Sequence, residues 1–364
     1  MTSQPDLDAL RDRVRALDRE LVRLAAERVR TVRRIGEAKR AAGRPMIDYA
    51  QERRVLEAAR GAAAEEGLDP GVAEDLLARL IRAAVTAQEE ESLRHAATGE
   101  GRTAVVVGGA GRMGGWFVRF LDAQGWGVEI VDPAAPAVAS LRGEALLPEA
   151  DLVICATPPR ETVELYRGWL ERPPRGVVAD LASIKSPLLG PIAELRAAGG
   201  RVASLHPMFG PATVLLRSKD VVLCETGDEE ATEEIAALFR PTTVQLVRLP
   251  LAEHDELMAH LLSVGHAAAI AFALALPDRE LPVRSTTYGG LARLAANAVD
   301  QNPDVYFEIQ VDNPHSLAAL EGLRDAVDHV VAVVRTHRRD RFAELMEEGR
   351  RRLPPGEDRR MADP

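Results

Sequence analysis

The stretch AVVVGGAGRMGGWFVRFL, residues 104–121, decides how the centre of the chain folds. The apolar run Ala104 to Val107 reads as a strand, and the amphipathic run after Gly114 reads as a helix. Between them Gly109, Gly111 and Gly114 stand in a G-x-G-x-x-G frame, with Arg112 and Met113 in the same loop. Glycines there permit a tight turn and let backbone amides approach a pyrophosphate, which the positive end of the following helix stabilises. Asp132 ends the next strand-like run, GVEIVDP, 23 residues beyond Gly109. A carboxylate at that distance suits a ribose hydroxyl and disfavours a 2'-phosphate, so NAD is the expected cofactor. Arg112 in the loop leaves NADP open.

Outward from this stretch the texture is that of a parallel α/β domain. The short β-branched runs TAVVVGG, GVEIVD, DLVICAT, GVVADLAS, VASLHPM and DVVLCE alternate with helical patterns from Thr103 to about residue 243. Beyond 243 the strands are expected to stop, and alanine- and leucine-rich helical patterns run to about residue 352. Residues 353–364 are polar and read as a frayed tail.

Before the sheet, Leu7, Leu10, Val14, Leu17, Leu21 and Leu24 recur in alternating three- and four-residue steps, which predicts one long amphipathic helix from 6 to about 41. At 1.5 Å per residue it reaches roughly 50 Å, longer than a small domain is wide, so it needs a partner and a homodimer is expected. Gly43 and Pro45 end it; further helical patterns cover about 49–66 and 70–92, and residues 93–102, LRHAATGEGR, read as a linker. The expected domains are therefore 1–92, 103–243 and 244–352.

The composition is ordinary for a globular chain of 364 residues, with 46% hydrophobic and 28% charged residues. A net charge of -10 argues against nucleic-acid binding, which needs a basic face. The apolar stretches, such as Ala267 to Leu276, are shorter than a bilayer span, and the start MTSQPDLDALRD has no signal character, so no membrane role and a cytoplasmic location are expected. Cys155 and Cys224 lie in strand-like runs and read as buried thiols; no metal site is expected.

Position 28 of the first helix continues the leucine seam yet holds Arg28, and a guanidinium on a seam calls for an anion. Lys39, about three turns on, returns to nearly the same face. Arg11 lies roughly 25 Å from Arg28 by helical rise and can reach such a pocket only from a second chain.

With Arg11, Arg28, Lys39, Asp48, Glu52 and Gln88 in place, residues 6–92 resemble the all-helical class of chorismate mutases. The resemblance implies that Arg11 of a partner chain and Arg28 hold two substrate carboxylates. Lys39 and Gln88 would then bond the ether oxygen, and Asp48 and Glu52 would address the ring hydroxyl. Ala84 stands where some relatives carry a serine. Residues 103 to about 350 resemble the prephenate dehydrogenase family through GGAGRMG, DLASIKSPL, SLHPMFGP and EHDELMAH. The expected fold is thus an all-α chorismate-mutase-like domain, a Rossmann-type α/β domain and a C-terminal all-α dimerisation domain.

His206 ends an apolar strand, where ligands meet open sheets, and an imidazole titrating near neutrality can take a proton from a ring hydroxyl. The resemblance implies that Ser183 orients the reacting group beside it, with Lys185 a weaker candidate. His254 and His266 match family positions, His254 being the better ligand candidate; His260 has no such support. The expected reactions are chorismate to prephenate, then NAD-dependent oxidation and decarboxylation of prephenate to 4-hydroxyphenylpyruvate.

One position departs from the family. Six residues before Pro303 in NAVDQNPDVY, a carboxylate-binding arginine is replaced by Asn297; Arg293, one turn earlier, is a candidate substitute. A 4-amino-4-deoxy substrate, whose ammonium replaces the hydroxyl, is the alternative, because losing a guanidinium relieves like-charge repulsion.

Overall fold

In a computed structural model the described residues are 7–42, 48–96, 98–214, 216–279 and 281–353. Gly43, Pro45 and the tail from 354 onward, on which the reading above placed a helix end and a frayed terminus, lie outside them. The chain divides into two compact units, one formed by residues 1–182 with 190–251 and the other by 183–189 with 252–364.

The first unit begins with three helices, α1 (Leu7–Ala41), α2 (Tyr49–Glu65) and α3 (Pro70–Ala96). Asp48 caps α2 by accepting from the Gln51 amide, and Asp69 accepts from the Gly71 amide at the start of α3. Helices α1 and α2 both pack on α3, around Ala63, Ala73, Ala84 and Val85. The leucine seam of α1 is not part of that contact: Leu10 is 49% and Leu21 56% exposed, an apolar stripe that the chain's own helices leave uncovered.

Helix α3 runs past the expected boundary at 92, because Leu93 is buried in the core of the sheet region and anchors the helix there. The sheet region follows as β1 (Thr103–Val107), α4 (Arg112–Asp122), β2 (Gly127–Val131), α5 (Ala137–Leu146), β3 (Leu152–Cys155), α6 (Pro159–Gly168), β4 (Val177–Asp180), α7 (Leu189–Ala197), β5 (Arg201–Pro207), β6 (Asp220–Glu225), α8 (Glu229–Phe239) and β7 (Gln245–Pro250). The strands lie in the order β2-β1-β3-β4-β5-β6-β7. Every neighbouring pair is parallel except β5 and β6. Among the described residues no helix crosses over between those two strands, and without a crossover the chain returns antiparallel. Strand β7 lies beyond 243, where strands were expected to stop; it is a half-exposed edge strand whose residues Arg248 and Pro250 mask the apolar signal. The core is aromatic under α4 and α8, where Trp116 stacks on Phe120 at 4.9 Å and Phe120 on Phe239 at 5.0 Å. Both Cys155 and Cys224 are buried.

The second unit is helical: α9 (His254–Met258), a π-helical turn at Ala259–Ser263, α10 (Val264–Ala275), α11 (Thr286–Val299), α12 (Pro303–Val311), α13 (Ser316–Arg335) and α14 (Arg339–Arg352). From His254 to Ala275 the helix is continuous for 22 residues and contains an 18-residue window with a mean hydropathy of 1.8, long and apolar enough by length and composition alone to cross a membrane. No uninterrupted apolar run within it approaches that length, since His260, Ser263 and His266 break it up, as the short apolar stretches of the sequence implied. The helix packs on α11 and α13 and carries a buried His254–Asp255 pair in its first turn. Apolar side chains on its neighbours stay uncovered, among them Phe307 at 63% and Val334 at 59% exposure.

Candidate functional site

Between α1, α2 and α3 lies a cavity of about 180 Å³. Arg28, Lys39, Asp48, Glu52 and Gln88 all line it, together with Val32, Ile35, Ala84 and Val85. The structure therefore brings five of the six polar residues expected of a mutase site to one place. Arg11 does not reach it; it sits on the exposed face of α1, paired with Asp8 at 3.2 Å. The Nη1 atom of Arg28 is buried with no hydrogen-bond partner among the described residues, and burial pulls its pKa down. A guanidinium nitrogen placed so is costly unless an anion completes it. Gln88 donates from Nε2 to the Val32 carbonyl at 2.7 Å, which leaves the second amide hydrogen for the cavity. Gly36 permits this approach, since a Cβ there would stand 2.7 Å from the same nitrogen.

Two contacts here come from the sheet region and were not read from the sequence. Arg217, between β5 and β6, donates to both carboxylate oxygens of Glu52, through Nη1 at 3.1 Å and through Nη2. Glu89, next to Gln88, accepts from the amides of Leu216 at 3.1 Å and Thr243 at 2.9 Å and from the Thr243 hydroxyl. Burial pushes the Glu89 carboxyl up, against the opposing pull of those amides and of Arg217. The partners are 165 and 127 positions apart, so no local pattern announces them.

A second cavity, of about 710 Å³, opens at the carboxyl ends of β1, β2 and β3. Strand order reverses between β1 and β3, the place where open sheets bind ligands. Gly108, Gly111, Asp132, Thr157 and Trp169 are among its lining residues. Gly108 takes the left-handed conformation (φ 81°) and accepts from the Gly111 amide at 3.0 Å. It is the turn-forming glycine, signalled only by the Gly-Gly doublet. A Cβ on Gly114 would stand 2.1 Å from the Gly108 carbonyl oxygen, and one on Gly109 2.5 Å from Ile130, so these two glycines serve close packing of loop, helix and strand. Gly111 begins α4 as its cap. Asp132 accepts from Ala110 at 3.0 Å and Ala134 at 2.7 Å, one bond per oxygen, and each oxygen retains a lone pair toward the cavity. Arg112 is exposed and Met113 is half-buried against the core. Strand end, glycine turn, helix start and carboxylate fit a dinucleotide.

His206 is buried near the carboxyl end of β5, opposite Val222 of β6. It shares the sheet edge with the glycine loop, three strand spacings or roughly 14 Å away. Ser183, His254, Arg293 and Asn297 belong to the second unit. There Asp255 accepts from the Lys185 and Ser186 amides at 2.7 Å each and from His254 Nδ1 at 2.7 Å. Burial pushes the Asp255 carboxyl up, yet the bonds from His254, Ser186 and Lys185 outweigh it and hold the pKa below its ordinary value. An ionised carboxylate only accepts, so His254 carries its proton on Nδ1. His266 stacks on Tyr306 at 3.9 Å, and burial lowers its pKa. His260, Arg293 and Asn297 are exposed, the last two one turn apart on α11.

Comparison with known proteins agrees with this geometry. Type II chorismate mutases match residues 10–89; the prephenate dehydrogenase nucleotide-binding domain matches 137–248, and the prephenate dehydrogenase dimerization domain matches 250–348. The T-protein of Enterobacter agglomerans is 30% identical over 335 residues, covering 90% of this chain and 88% of that protein. A 4-amino-4-deoxyprephenate dehydrogenase of Streptomyces pristinaespiralis is 32% identical over 270 residues, 67% of this chain and 88% of its own. A crystal structure of prephenate dehydrogenase from A. aeolicus, in complex with hydroxyphenyl propionate and NAD+, shares the fold of the dehydrogenase part, with a TM-score of 0.55 at 20% identity over 69% of this chain and 97% of that one. The chain belongs to the T-protein family, joining a type II chorismate mutase domain to the two domains of a prephenate dehydrogenase.

Proposed function

We propose that this chain rearranges chorismate to prephenate in the α1–α3 cavity and then oxidises and decarboxylates prephenate to 4-hydroxyphenylpyruvate with NAD, as a cytoplasmic homodimer serving tyrosine biosynthesis. The observation that carries the reading is the buried, unpartnered Nη1 of Arg28 in a cavity it shares with Lys39, Asp48, Glu52 and Gln88. Arg28 grips one carboxylate of the substrate, and Arg11 of a second copy grips the other. Lys39 and Gln88 stabilise the ether oxygen as it gains charge, while Asp48 and Glu52 hold the ring substituent. A pericyclic rearrangement needs only this restrained conformer and preorganised field. The uncovered seam of α1 supports the second copy, because it lies on the helix that carries both arginines.

In the dehydrogenase, Gly109, Gly111, Arg112, Met113 and Gly114 form the loop that meets the pyrophosphate, and Asp132 meets a ribose. When bound, NAD accepts a hydride from the ring carbon. His206 takes the proton of the ring hydroxyl, and Ser183 orients that group. His254, fixed by Asp255, binds substrate.

A second reading has its own observation. Asn297 replaces the family arginine, and the Streptomyces relative acts by name on 4-amino-4-deoxyprephenate. On that reading the cavity takes 4-amino-4-deoxychorismate, Arg293 serves the remaining carboxylate, and 4-aminophenylpyruvate is the product. A coupled assay decides. Purified protein is given NAD with either chorismate or its 4-amino analogue, and reduced cofactor is followed. Faster turnover of the amino compound rejects the first reading. Asn297→Arg is expected to shift the ratio toward the hydroxyl substrate, and an unshifted ratio counts against the role given to that position.

A further inference from the structure

We infer that Arg217, a residue of the sheet region, is a positioning residue of the mutase cavity: it fixes the Glu52 carboxylate and offsets its charge. The inference deepens the mutase reading above and rests on it.

The geometry is that of a built contact. Guanidinium and carboxylate meet through two donors, and both side chains are mostly buried, 13% exposed for Arg217 and 21% for Glu52. A planar fork against a carboxylate fixes direction as well as distance, which a lysine cannot do. The segment bearing Arg217 is itself held. Its neighbour Leu216 donates to Glu89, and Ser218 on the other side takes the left-handed conformation (φ 57°), rare for a residue with a side chain. Glu89 follows Gln88 on α3, so one helix turn faces the cavity through Gln88 and clamps the Arg217 segment through Glu89. The mutase wall and the sheet-region loop are thus tied at two points.

Charge gives the contact its chemical meaning. Arg28 and Lys39 cancel Asp48 and Glu52 among the residues lining the cavity. Arg217, outside that lining, neutralises the Glu52 carboxylate within it, which suits a dianion with a neutral hydroxyl better than an analogue carrying a ring ammonium. Glu52 paired with Arg217 still accepts from a hydroxyl, since each oxygen keeps a lone pair. It attracts an ammonium less.

The test uses the full chain with Arg217→Ala and Arg217→Lys. For Arg217→Ala the KM for chorismate is expected to rise about tenfold with kcat little changed, since contact with an unreacting hydroxyl is made equally in ground and transition states. The preference for chorismate over 4-amino-4-deoxychorismate should fall with it. Arg217→Lys should recover part of both. Dehydrogenase turnover of supplied prephenate should stay at the parent level, which reports a folded protein. Unchanged mutase constants and substrate ratio in Arg217→Ala would overturn the inference, as would a parallel fall of both activities, which would make Arg217 a general element of the fold. A parent chain that rearranges neither substrate would instead overturn the mutase reading itself, and this inference with it.

Discussion

Replacing Gly36 by alanine should silence the mutase while leaving the chain folded. The added methyl would stand 2.7 Å from Nε2 of Gln88 and 3.0 Å from its Cγ and Cδ. Gln88 is only 5% exposed, so it can yield only by giving up its 2.7 Å bond to the Val32 carbonyl. Two stability effects oppose one another. Alanine gains about 1 kcal/mol over glycine inside a helix. A buried hydrogen bond left unmade costs about 1–3 kcal/mol. The net loss of roughly 0–2 kcal/mol is small against the stability of an ordinary domain. Catalysis has no such compensation, because a donor aimed at developing charge is worth on the order of 100-fold in rate. Chorismate consumption without NAD should therefore drop on the order of 100-fold, with the thermal midpoint little moved and the oxidation of supplied prephenate intact. A variant that consumed chorismate as fast as its parent would refute the reasoning, for then the pose of Gln88 would not matter.

Arg28→Leu should abolish chorismate turnover and raise the thermal midpoint of the first unit, since it removes a half-buried guanidinium with an unpartnered nitrogen; a lowered midpoint would argue that Arg28 supports the fold. Gly114→Ala drives a Cβ to 2.1 Å from a backbone oxygen, so calorimetric titration with NAD should show binding lost while chorismate is still consumed; undiminished NAD affinity would contradict the assigned loop. Asp255→Asn should destabilise the second unit by about 2–4 kcal/mol, because the backbone amides of Lys185 and Ser186 and the His254 ring lose a charged acceptor, and denaturant melts would measure it. The folded pKa of Asp255 lies below its ordinary 3.8, so its contribution is complete above that value and drains away as pH falls through the folded value; Asp255→Asn should remove that part of the acid sensitivity, and superimposable acid-unfolding curves would count against the clamp.

The parts of this molecule that were legible beforehand are those written in contiguous residues. Six strands announced themselves as β-branched runs, such as TAVVV in β1 and LVIC in β3, and the seam of α1 announced itself by its spacing. Arg28 was conspicuous because it interrupts that seam. β7 was not visible, since a half-exposed edge strand carries residues such as Arg248 and Pro250 that read as loop. The antiparallel turn at β6 was hidden for another reason: strand direction depends on the connection rather than on the strand. Arg217 and Glu89 make their bonds across more than a hundred residues, and nothing near either one points to its partner. Asp255 stood beside a flagged histidine, yet the amides it accepts from lie about seventy residues earlier.

That last contact bears on how the gene can be cut. Residues 183–189 are spliced into the helical unit although the sheet surrounds them in sequence, and the amides of Lys185 and Ser186 donate to a side chain encoded after position 251. A fragment stopped at 251 would leave the segment's Asp255 acceptor behind, so a free-standing nucleotide-binding piece should express poorly. Grafting this dehydrogenase onto another scaffold would have to carry both halves together.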